Sequence, residues 1–128
     1  MPEQHLFEYA VIRIVPRVER EEFLNAGVVL YCAKMKFLQA RFDLDTQRLT
    51  ALSDTLDLSE IKDYLCAFER ICTGSKDAGP IGKLPMAERF RWLTATRSTV
   101  VQTSKVHPGF CNDPAEMLDR LYEQMVKR

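Results

Sequence analysis

The sequence predicts an α+β fold: an antiparallel sheet of three to five strands with helices packed on one face, in a single domain over residues 1–128. Three observations carry this. The runs LFEYAVIRIV and GVVLYCAK are rich in β-branched and aromatic residues, and FLQARFD after them alternates apolar with polar. The chain then changes to a helical period, with apolar residues at i, i+3, i+4 and i+7 from Ile61 to Cys72. With 128 residues, 46% hydrophobic and 28% charged, the composition is that of one globular domain with a core of its own.

Leu6 to Val15 reads as the first strand, and Pro16, which cannot donate to a ladder, ends it. Phe7, Tyr9 and Val11 share one face, and Ala10, Ile12 and Ile14 the other. Both faces are apolar, so this strand is expected to be central or covered on both sides. Gly27 to Lys34 is the second strand. The connection PRVEREEFLNA is charged and longer than a tight turn, and the Asn25-Ala26-Gly27 step suits a turn or bulge. Phe37 to Asp43 sets Leu38, Ala40 and Phe42 against Gln39 and Arg41, the pattern of a half-buried strand, and the three together form a meander.

Asp57 and Glu60 make a capping box ahead of a helix whose buried face is Ile61, Tyr64, Leu65, Phe68, Ile71 and Cys72, with Gly74 as its stop. Ser75 to Pro85 is a loop. Its Gly79-Pro80-Ile81-Gly82 centre is too short and too rich in proline to cradle a phosphate. A short helix over Met86 to Trp92, a strand over Ser98 to Ser104 and a loop over Lys105 to Asn112 follow. Asp113 caps the last helix, Pro114 opens it, Glu116 completes the box, and Leu118, Leu121, Tyr122 and Met125 form its buried stripe.

Eighteen Lys and Arg balance eighteen Asp and Glu, so the chain as a whole has no electrostatic footprint for nucleic acid or anionic membrane. The N-terminus lacks a cationic segment followed by a long apolar run, and no apolar run approaches the ~20 residues that span a bilayer. Cys32, Cys66, Cys72 and Cys111 are scattered, which reads as reduced thiols in a cytoplasm.

Chemistry is best sought in the polar stretch Trp92 to Asp113, WLTATRSTVVQTSKVHPGFCND. Arg97, Ser98, Thr99 and Thr103 can present a guanidinium fork and hydroxyls to a phosphate or carboxylate, with His107 closing the edge and Arg13 joining if the two strands pair. Against this stands the plainer reading, in which the hydroxyls satisfy nearby backbone and Arg97 pairs with a carboxylate such as Glu88. A Ser98, His107 and Asp113 triad lacks the flanking glycines of a strained nucleophile turn, and Asp113 is already accounted for as a helix cap. His107 and Cys111 have the spacing of half a zinc motif, but Cys66 and Cys72 point to different helix faces and His5 stands alone, so no metal is expected. The acidic turn of Glu19, Glu21 and Glu22 reads as solvated, and Trp92, Phe90 and Phe37 as core.

The segments YAVIRIVPRVEREEFLNAGVVLYC and RFRWLTATRSTVVQTSKVHPGFCNDPAEMLDRLYEQMV resemble the two halves of the bacterial domain-of-unknown-function family numbered 3037, from about Tyr9 to Val126. The first carries an arginine-bearing strand, a proline, an acidic turn and an Asn-x-Gly-Val-Val step in the family's order. Thr96 and Lys105 depart from it at positions where proline is usual before Arg-Ser-Thr and common before Val-His, both in loops. The resemblance implies an α+β domain and brings no activity. Members resemble small companions encoded beside HipA-like kinases, which implies an accessory role with such a kinase as partner. The leading expectation is therefore a non-enzymatic cytoplasmic accessory domain that binds a protein partner and needs no cofactor. The alternatives are a small-anion or nucleotide-binding enzyme on the Arg97–His107 edge and a nucleic-acid-binding module.

Overall fold

β1 (His5–Ile14) runs through the middle of an antiparallel sheet, and its two apolar faces dictate what packs around it. The computed structural model describes residues 4–16, 22–53, 55–95, 97 and 99–127. β2 (Leu24–Cys32) pairs with β1, and β3 (Phe37–Phe42) pairs with β2, which is the expected meander. In β2 the partner of Ile12 is Gly27 and that of Arg13 is Asn25, so Ala26 is the extra residue of a β-bulge. Gly27 is required there. A Cβ on it would lie 2.5 Å from the Arg41 carbonyl oxygen and 2.6 Å from Phe42 Cβ, because β3 passes close by.

β4 (Val101–Thr103) and β5 (His107–Cys111) lie end to end along the other edge of β1. Between the pairs Ile12–Thr103 and Tyr9–His107, β1 advances three residues and its neighbour four, so a one-residue bulge joins β4 to β5. Ser104 bridges the joint. Its amide donates to the Val11 carbonyl at 2.8 Å, and its hydroxyl accepts from the Val11 amide at 2.9 Å, where a regular ladder would offer a carbonyl.

β5 corrects the loop expected over Lys105 to Asn112. Pro108 and Gly109 argue against a strand in sequence, but among the described residues β5 pairs only with β1, and an edge strand tolerates a proline whose nitrogen faces outward. Gly109 makes room for Phe7, whose Cζ would lie 2.5 Å from an added Cβ.

Three helices follow the meander: α1 (Thr46–Leu52), α2 (Leu58–Thr73) and α3 (Met86–Leu93). They bring Leu49, Ile61, Leu65, Phe68, Phe90 and Leu93 onto Ala10, Ile12 and Ile14. α4 (Pro114–Met125) lays Leu118, Leu121 and Tyr122 over Phe7, Val28 and Leu30 on the opposite face. The fold is α+β with five strands, but its helices cover both faces of the sheet, not the one face expected. The reason is in β1 and β2, which are apolar on both sides and would expose a full core face if one layer were missing.

The helix ends follow their caps. The Asp57 carboxylate accepts from the Glu60 amide at 3.1 Å, and Gly74 at φ 69° stops α2 in the left-handed region. Asp113 accepts from the amides of Ala115 and Glu116 at 3.0 and 3.4 Å. The loop from Ser75 to Pro85 contains two short 3-10 turns, Lys76–Ala78 and Pro80–Lys83. No helix is long and apolar enough to cross a membrane among the described residues.

Candidate functional site

The residues of the expected anion edge do not converge. Arg97 follows α3, and its guanidinium donates to the carbonyls of Trp92 and, at 3.2 Å, Leu93, while lying 4.3 Å above the Trp92 ring. Two of its donors thus cap α3, where carbonyls left over at a helix end attract a cation. His107 belongs to β5, opposite Tyr9, and its exposed ring lies 5.4 Å from the Tyr9 ring on the α4 side of the sheet. Arg97 is tied to a helix on the other side, so Arg97 and His107 share no site.

Arg13 faces the α4 side with Gln102 as its partner, its guanidinium carbon 4.2 Å above the Phe23 ring. Thr103 pairs with Ile12 and faces the other way. The Thr99 hydroxyl donates to the Val101 carbonyl at 2.7 Å, a local turn bond of the kind the plainer reading anticipates. Ser98 lies outside the described residues, as do Glu19 and Glu21. Asp113, the third member of the conceivable triad, holds two helix amides. Trp92 is 39% exposed under Arg97, which corrects its placement in the core; Phe90 is core, and Phe37 is half-buried.

All four cysteines are free. Burial pushes the Cys72 thiol up to about 12, against a smaller opposing pull from the Arg89 guanidinium. Burial also raises Cys111, helped by Cys32 and Asp113 nearby. A thiol held protonated is a poor nucleophile and a poor metal ligand, so these two serve as small core hydrophobes. Among the described residues no group of three or more His, Cys, Asp or Glu is placed to hold a metal ion.

Two surfaces stand out instead. One is a cleft of about 570 Å³ between the start of β4 and the N-terminal turn of α2, walled by Pro16, Leu56, Ile61, Tyr64 and Val100 with Asp57 and Glu60 at its lip. The other is the bare end of the sheet. Leu6 and Phe110 are cross-strand partners on the face that α1, α2 and α3 cover elsewhere, and they are 54% and 64% exposed. Pro108, opposite Glu8, extends this strip along β5 and is exposed; Val106, in the joint before β5, is exposed as well. Nothing in the sequence marks Leu6 or Phe110 as exposed, since each sits in a run that reads as strand or loop. Only the position of the helices reveals it.

The model of one family, described as "Protein of unknown function (DUF3037)", matches residues 9–126. No curated protein and no solved structure matches the chain.

Proposed function

The chain belongs to the DUF3037 family, and from that premise we propose that it is a non-enzymatic accessory domain that binds a protein partner in a bacterial cytoplasm. The observation that carries this reading is the strip of Leu6, Phe110 and Pro108 on a sheet face otherwise roofed by helices. Leaving a large aromatic 64% exposed beside a half-exposed leucine forgoes the burial that stabilises the same face a few residues further along β1. Contiguous apolar surface of this kind marks interaction sites on water-soluble domains. Four free thiols fit a reducing compartment. A HipA-like kinase, the companion that the family resemblance implies, is the first partner to test.

The experiment is affinity capture from the native cell with wild type and Phe110→Asp in parallel. Proteins recovered with the wild type and lost with Phe110→Asp, at unchanged melting temperature, are the expected result. The same proteins recovered with both would place any binding elsewhere, and no specific capture by the wild type would remove the reading.

A further inference from the structure

Within the bare strip stands a charge that no described residue pairs. Glu8 lies between Leu6 and Ala10 on β1, with Tyr31 and Pro108 as its cross-strand neighbours, so its side chain shares the face of Leu6 and Phe110. It is only partly exposed, yet among the described residues no ion pair or hydrogen bond engages its carboxylate. A cation that arrives among apolar groups on this face would meet in Glu8 a carboxylate that no described residue already pairs.

The geometry also decides how a partner can approach. The Val15 amide donates to the Val100 carbonyl and the Ser104 amide to the Val11 carbonyl, so odd-numbered residues of β1 bond toward β4 and β5. Pro108, opposite the even-numbered Glu8, therefore turns its nitrogen to the open edge of β5. That nitrogen carries no hydrogen, so an added strand would meet a missing donor in the middle of β5. Side chains on the face, and not backbone on the edge, are left to make the contact.

We propose that this face docks a protein segment whose apolar side chains flank a lysine or arginine, the apolar groups covering Leu6, Pro108 and Phe110 and the cation pairing with Glu8. The proposal rests on the partner-binding reading above and adds the chemistry of the partner to it.

The probe is the full chain with a photoreactive benzoylphenylalanine in place of Phe110, irradiated in native cells, with the cross-linked segment mapped by mass spectrometry. The expected segment is apolar with a Lys or Arg beside the cross-link. Glu8→Lys should then weaken binding of the purified partner by about tenfold or more, and reversing the partner's cation to Glu should restore it. A segment without a cation, or equal affinity for wild type and Glu8→Lys, overturns the proposal. So does a cross-link to a second copy of this chain, which would make the face a self-association surface. Capture of a partner by wild type with no cross-link from position 110 overturns it while leaving partner binding intact; no capture at all removes both.

Discussion

Arg89 is buried, and its guanidinium is spent on three carbonyls: Ile71 and Cys72 in the last turn of α2, at 2.8 and 2.7 Å, and Leu84 at 3.0 Å. A planar fork reaches several oxygens at once and answers the negative end of the helix dipole, which a lysine ammonium does less completely. Gly74 belongs to the same arrangement, since a Cβ there would sit 2.9 Å from the Arg89 Nη1. Arg89→Met should cost about 2–4 kcal/mol by leaving buried carbonyls unpaired, and Arg89→Lys should fall between it and wild type. Urea melts check this; an Arg89→Met curve that overlays the wild type would show that the carbonyls find water instead. None of it is legible in MAERFRW, where Arg89 is one charge among several. Arg97, prominent in sequence because serines and threonines surround it, has an equally local task at the end of α3. Charge type can be read from a sequence, but whether a guanidinium meets carbonyls or a ligand depends on which helix end it reaches.

The strongly periodic elements are legible in the sequence and the short ones are not. α2 has a cap, a stop and five buried residues on one face, so each signal repeats the others. Phe68, 3% exposed in the core under the sheet, sets the scale: Phe68→Ala should cost about 3–5 kcal/mol through lost transfer energy and a cavity. A loss below about 1 kcal/mol in denaturant melts would mean that the core closes over the gap, against the behaviour of well-packed interiors. α1 gives no such signal, because its seven residues bury only Leu49 and such a helix has almost no period to read. β5 is hidden for a different reason. Pro108 and Gly109 break a strand pattern on average, whereas here one faces an open edge and the other lies against the Phe7 ring. Both are tertiary circumstances that no local window contains.

At the scale of the molecule, the sheet is a shared wall between two cores, and among the described residues α4 is the helix that roofs one of them. Its stripe of Leu118, Leu121 and Tyr122 meets Phe7, Val28, Leu30 and Cys32, and its last turns are pinned from below. Asn25 donates to the Met125 carbonyl at 2.9 Å, and Arg41 pairs with Asp119 at 2.7 Å while lying over the Tyr122 ring. The exposed ion pair adds little by itself; the apolar contact contributes more. β1 and β2 serve both cores at once, so removing one roof weakens the ladder that supports the other. A chain ending at Asn112 should therefore lose its cooperative thermal transition and bind a hydrophobic dye, and it should not persist as a smaller native domain. Circular dichroism and dye fluorescence on the truncated chain test this, and a synthetic peptide covering residues 113–128 added in trans should restore the transition in proportion to its concentration. A truncated chain that melts cooperatively without binding dye would show that α1, α2 and α3 stabilise the sheet unaided. In that case the two apolar faces of β1 would be independent in energy, although they share one backbone.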